Sequence, residues 1–222
     1  MCLYTDGGWK KMSTKKKILT AAAEEFAMRG YNGTTIRDIC KRAKVNVALV
    51  NYHFRSKELL YHEMFQFLFS ETEAENVFGR PWGGDFAQWK KMLRKWIEQI
   101  ILEITGDNPL NRFKGMIFGR EMQDPSEIFP NIYETFMKPR LSGLASHFRK
   151  VLPPRTSDDE IFIRTFSVIS NCIFYFHDRV IVNMTFPGKD FTSANMNEIV
   201  DHITDAACVG IKYNEASRKR KS

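Results

Sequence analysis

The sequence predicts an all-α protein, a small N-terminal three-helix domain followed by a larger helical one. Apolar residues recur at i, i+3, i+4 and i+7 through most of the 222 residues. No stretch alternates apolar and polar residues with period two, and no internal repeat is visible. Clusters of Pro, Gly, Asn and Asp punctuate the periodic segments at helix-like intervals.

Residues 1–12 contain Asp6-Gly7-Gly8 and read as a flexible arm. Ser13 is placed to cap a first helix whose apolar side is Ile18, Leu19, Ala22, Ala23 and Phe26, and Gly30 is placed to close it. Thr34 or Thr35 can cap the second helix. Thr35 and Asp38 have capping-box spacing with Asp in place of Glu. That helix is expected to bury Ile36, Ile39, Cys40 and Ala43 and to expose Arg37, Lys41 and Arg42. Asn46 is a suitable cap for a short third helix, Val47 to His53, with Val50 and Phe54 in the core. Ser56 caps a fourth, marked by Leu59, Leu60, Met64, Phe65 and Leu68. Arg80-Pro81-Trp82-Gly83-Gly84 breaks the pattern. Further helices are expected near 85–105, 109–122, 126–150, 158–184 and 194–214, separated by breakers at 106–109, 124–125, 153–154 and 187–188. The chain divides into an arm (1–12), a first domain (13–58), a second (59–215) and a basic tail (216–222).

Composition is that of a soluble globular protein, 43% apolar and 27% charged. The N-terminus has no apolar h-region, and the longest apolar runs are too short to span a bilayer, so a cytoplasmic protein with no membrane partner is expected. Cys2, Cys40, Cys172 and Cys208 are scattered without metal-ligand spacing, so they read as reduced thiols and no metal or cofactor is expected. There is no GxSxG, HExxH or Gly-rich phosphate loop, and no enzyme is expected. The net charge of +7 is unevenly placed. Residues 1–60 carry 12 Lys and Arg against 5 Asp and Glu, residues 218–221 add four more positive charges, and the rest is mildly acidic. A basic head on an acidic body suits a polyanionic partner, although a solvated basic face has the same composition.

Residues 34–57 decide between these. Two short helices joined by a tight turn, with a basic rim and a polar outer face on the second, form the layout of a helix-turn-helix. The residues Ala22-Ala-Glu-Glu-Phe-Ala-Met-Arg-Gly30, Tyr31, Gly33-Thr-Thr-Ile36, Ile39, Ala43 with Val45, and Asn51-Tyr-His-Phe-Arg-Ser-Lys-Glu-Leu-Leu60 resemble the TetR family of bacterial one-component transcription regulators over roughly residues 13–62. The chain departs from the family pattern at Lys44 and Ala48, where Gly is frequent, and at Asn51, where Tyr is frequent. Lys44 then has to take a left-handed conformation, at about 1 kcal/mol for a non-Gly residue. Gly119-Arg-Glu-Met122, Tyr133 through Pro139 and Cys172-Ile-Phe174 further resemble the branch with a CecR-type ligand domain.

The resemblance implies a homodimer, most simply a repressor, whose recognition helices read a palindromic double-stranded DNA operator and which a small apolar effector releases. The alternative use of the same fold is a protein-interaction module with incidental DNA binding. Asn46, Val47, Ala48 and Leu49 stand at the leading end of the recognition helix, where small apolar side chains can meet thymine methyls. Asn51 can pair bidentately with adenine, and Arg37 can reach a guanine or a phosphate. Tyr52, His53 and Lys57 match family phosphate-contact positions. Thr35 is expected to offer its hydroxyl and a free N–H to a phosphate. In the second domain, which holds sixteen of the eighteen phenylalanines, the pocket candidates are Phe113, Met116, Arg120, Phe136, Asn171 and Tyr175. The last two helices are the dimer seam the resemblance implies. Its candidates are Ile161, Thr165, Val168 and Cys172 with Ile199, Ile203, Ala206, Ala207 and Gly210; an intramolecular core fits the same stripe.

Overall fold

The computed structural model describes residues 13–69, 77–78, 84–105 and 109–211, and among them every regular element is helical. The arm, the basic tail and the breaker at 80–83 lie outside the described residues. The chain forms two compact units. One contains the described residues up to Phe69 together with Met116–Phe129, and the other contains the remainder.

The first unit begins with α1 (Thr14–Gly33), capped by Ser13, whose Oγ accepts from the Lys16 N–H at 3.3 Å. Gly30 interrupts it with φ 71°, the left-handed region that glycine enters without steric cost, so the closing role expected of this residue is seen. Then come α2 (Ile36–Ala43), α3 (Val47–Phe54) and α4 (Lys57–Phe69). α1 packs on α2 and α4, and α3 on α2 and α4. Ile18, Ala22, Phe26, Ile39, Val50, Phe54, Leu60 and Met64 are at most 1% exposed and make the core.

The second unit contains α5 (Phe86–Thr105), the first turns of α6 (Pro109–Gln123), α7 (Phe129–Ile132) from its second residue on, and a π-turn (Tyr133–Met137). It continues through α8 (Lys138–Arg149), α9 (Asp158–His177), α10 (Arg179–Thr185), α11 (Phe191–Ala194) and α12 (Met196–Cys208). α5 packs against α9 and α12, and α8 against α9. The core is a large-aromatic and aliphatic cluster of Trp89, Leu93, Trp96, Ile97, Ile101, Leu144, Phe148, Cys172 and Val200.

Two expected helices are divided. The stretch near 126–150 carries the π-turn, where the Lys138 N–H bonds to the Tyr133 carbonyl, five residues back, just before Pro139, which has no N–H to give to the Thr135 carbonyl. The stretch near 158–184 breaks at Asp178, whose φ of −98° and ψ of 22° are not helical.

Burial corrects the expected dimer seam. Ile161, Thr165, Val168, Cys172, Ile199 and Ile203 are each at most 5% exposed within a single chain, so they have no surface left for a second copy. The stripe i, i+4, i+7, i+11 of α9 faces the protomer's own α5 and α12. Of the nine seam candidates only Ala206 and Gly210 are exposed, with Ala207 half-buried.

Candidate nucleic-acid interface

α2, the turn and α3 are built from three local devices. Thr35 and Asp38 form a reciprocal capping box. Thr35 Oγ accepts from the Asp38 N–H at 3.2 Å, and the Asp38 carboxylate accepts from the Thr35 N–H at 3.1 Å and its hydroxyl at 2.6 Å. These bonds hold the Asp38 carboxyl below the usual range. They also correct one expectation, because Thr35 has neither a free N–H nor an uncommitted hydroxyl proton for a phosphate. Its role in the fold is the cap.

Lys44 makes the turn with φ 55° and ψ 48°, the left-handed conformation expected of it, while the Val45 N–H returns to the Cys40 carbonyl at 3.1 Å. Asn46 is extended and its Oδ1 accepts from the Leu49 N–H at 2.9 Å, capping α3.

α3 has two faces. Val50 and Phe54, one turn apart, are each 1% exposed and anchor it. Val47 (41% exposed), Ala48, Asn51 and Tyr52 (82%) point to solvent, with Leu49 and His53 half-buried. A hydrophobic Val and a large aromatic thus stand exposed on a helix that has its own buried side. Tyr52 and His53 meet edge to face at 5.2 Å. Arg55 ends the helix with φ 61°, and the Ser56 Oγ accepts from the Leu59 N–H to start α4. Arg37 is exposed on α2. The Lys57 ammonium sits 4.2 Å above the Tyr31 ring, and burial holds its pKa below the usual lysine value.

A charged network that sequence reasoning missed joins α1 to α2. Glu25 is 3% exposed and accepts from Arg42 Nε at 2.6 Å, with Arg29 Nε 3.4 Å from its other oxygen. Arg42 also pairs with Glu24, and Arg29 lies 3.5 Å from Asp38. Arg42 is therefore half-buried and engaged rather than solvated. The signal was present, because Glu25 shares the helical face of Ile18, Ala22 and Phe26.

The six pocket candidates are divided between the two units. Met116 and Arg120 belong to the first unit, and Phe113, Phe136, Asn171 and Tyr175 to the second. Arg120 donates to the Ala27 and Met28 carbonyls, while the Asn171 amide donates to the Ser167 carbonyl at 2.8 Å. Asn171 also borders a cavity of about 160 Å³ between α9 and α12, with Arg164 and Ala207. Cys40 and Cys172 are buried free thiols, and burial raises the Cys172 pKa to about 12. Among the described residues no helix is long and apolar enough to cross a membrane.

A capped helix–turn–helix with an unpartnered outer face, carried with a second helical unit, defines the class of helix-turn-helix transcription regulators. Residues 18–64 match the profile of bacterial regulatory proteins of the tetR family, and residues 90–211 match the C-terminal domain of the HTH-type transcriptional dual regulator CecR. The chain belongs to the TetR family of transcriptional regulators, with a CecR-type C-terminal domain. It is 27% identical to the dual regulator CecR of Shigella flexneri over 177 residues, 74% of this chain and 76% of that one. It is 40% identical to the probable regulator YttP of Bacillus subtilis over 73 residues, 30% of this chain and 35% of that protein. In fold it is similar to the fatty acid degradation regulator FadR of Bacillus halodurans (TM-score 0.66, 14% identity, 92% of this chain and 100% of that one). It is likewise similar to the hemolysin II regulator HlyIIR (TM-score 0.61, 24% identity, 87% and 96%).

Proposed function

We propose that the protein is a homodimeric repressor that binds a palindromic operator through α3 and leaves it when a small apolar molecule binds the second unit. The observation that carries this is the outer face of α3. Val47, Ala48, Asn51 and Tyr52 are exposed together on a helix fixed from beneath by Val50 and Phe54 and capped by Asn46. Asn51 is the amide available for adenine, and Arg37, His53 and Lys57 flank it for guanine or phosphate. A relative over 49 residues, IcaR of Staphylococcus aureus, is named a negative transcriptional regulator, which supports repression.

A second copy fits the outer stripe of α9, where Ile163 (65% exposed), Phe166 (52%) and Phe174 (44%) recur at i, i+3 and i+11. Phe113, Phe136 and Tyr175, each half-buried in the second unit, are the aromatic candidates for the effector. Release requires the effector to bind the DNA-incompetent arrangement more tightly, and couplings of this kind are about 1–3 kcal/mol.

The test is binding to the duplex upstream of the protein's own coding region against a scrambled duplex, across a salt series. A preference of about a thousandfold that Asn51→Ala or Tyr52→Ala removes supports the proposal. Equal affinity for every duplex, including genomic fragments recovered by selection, that collapses with salt overturns it and favours a protein-interaction module.

A further inference from the structure

Residues 116–129 fall within the stretch matched by the CecR-type profile, yet they pack with the first unit. Two consecutive side chains near the end of α6 carry that attachment. Arg120 donates from Nε to the Ala27 carbonyl at 3.0 Å and from Nη2 to the Met28 carbonyl at 2.7 Å. These carbonyls lie in the last turn of α1 before Gly30 breaks it, where a helix end has carbonyls without intrahelical partners and a partial negative charge. A forked cation satisfies both needs.

Glu121 reaches a different helix. It is 3% exposed, and its Oε1 accepts from the Tyr61 hydroxyl of α4 at 2.5 Å. Ser126 completes the shell, giving its N–H to Oε2 at 2.9 Å and its hydroxyl to Oε1 at 2.8 Å. Tyr61 is 1% exposed and stands edge-on to Phe26 of α1 at 4.6 Å. One turn of α6 thus grips α1 and α4, the two helices that flank the helix-turn-helix: α2 packs on α1, and α3 packs on α4. The apolar contacts of Phe26 and Tyr61 tolerate small rotations. Short hydrogen bonds to a buried carboxylate do not, because a misdirected bond leaves a desolvated charge without its partner.

We propose that Arg120 and Glu121 are positioning residues for DNA binding: through the carbonyls of Ala27 and Met28 and the hydroxyl of Tyr61, they hold α1 and α4 in the arrangement that presents α3 to the major groove. This rests on the DNA-binding function proposed above and extends the reading head to a segment that the family profiles place in the other domain.

The experiment uses the full-length chain with Tyr61→Phe, Glu121→Gln and both together. Affinities are measured on a genomic duplex selected with the wild-type protein and on a scrambled duplex, and amide hydrogen exchange is followed in the free protein. Each single variant is expected to lose specific affinity at least tenfold while scrambled-duplex affinity stays within twofold. The double variant should be no weaker than the weaker single, as for a pair acting together. Exchange across residues 46–55 should accelerate while α5 and α12 stay protected. Unchanged preference with unchanged exchange at 46–55 overturns the proposal. So does an equal loss on both duplexes with exchange accelerated throughout, which marks general destabilisation. Tyr61→Phe, which loses a single oxygen, keeps the test readable if Glu121→Gln fails to fold. A wild-type chain that prefers no duplex sinks the DNA-binding function, and exchange at 46–55 then reports independently whether the clasp holds α3.

Discussion

Trp89 and His147 hold each other through a reciprocal pair of contacts. The Trp89 Nε1–H donates to the His147 carbonyl at 2.7 Å, His147 Nε2 lies 3.1 Å from the Trp89 carbonyl, and the two rings stack at 4.9 Å. The Phe78 ring also stacks on the imidazole, at 4.3 Å.

Both side chains are 0% exposed, and burial pushes the His147 pKa down to about 4. The native state therefore keeps the ring neutral where the unfolded chain, near pKa 6.5, takes up a proton. This stabilisation is complete above pH 6.5 and is lost as pH falls toward 4. Between pH 7 and pH 5 the folding free energy is expected to drop by about 2 kcal/mol from this group alone. Urea midpoints at the two pH values measure it, and His147→Gln should flatten the difference. An unchanged slope in that variant would assign the acid sensitivity elsewhere.

Thr35→Ala should cost about 1 kcal/mol, the usual worth of an N-cap, because Thr35 and Asp38 satisfy each other at the start of α2. Since the Thr35 donors are committed to Asp38, the salt dependence of DNA binding should keep its slope in this variant. A slope that falls by about one would restore Thr35 as a phosphate contact.

Lys44→Gly is expected to stabilise the head by about 0.5–1 kcal/mol, because it removes a Cβ from a residue at φ 55°. Chemical denaturation of the full chain checks the sign.

Arg42→Met leaves the Glu25 carboxylate buried, with only Arg29 at 3.4 Å. The expected cost is about 2–3 kcal/mol, below the range for a fully buried pair because Arg42 is about a third exposed. A loss under 0.5 kcal/mol would mean that water reaches Glu25 freely.

Ile163→Glu and Val168→Glu lie five residues apart on α9 and should behave oppositely. Ile163 is 65% exposed, so its variant should stay folded and sediment as a monomer. Val168 is 2% exposed, so its variant should unfold the second unit. A dimer that survives Ile163→Glu places the seam off this face.

The caps at Ser13, Thr35, Asn46 and Ser56, the left-handed Lys44 and the anchors Val50 and Phe54 were all legible in the sequence. Each depends on neighbours within four or five residues, where spacing is itself geometry. The class of protein was legible for the same reason, since a helix-turn-helix is a local object. The sequence by itself therefore determined the helical register of the head and the outer face of α3, while the breaks at the π-turn and at Asp178 were not legible in it. Only the tertiary structure decided which side of α9 is spent inside the protomer, because Ile161 and Ile163 are equally apolar and differ only in what packs against them. It also decided that Arg120 and Glu121 serve α1 and α4, partners 92 and 60 residues away. Periodicity marks a face as apolar, but pairing across such separations depends on how the helices pack in three dimensions, which no local pattern encodes.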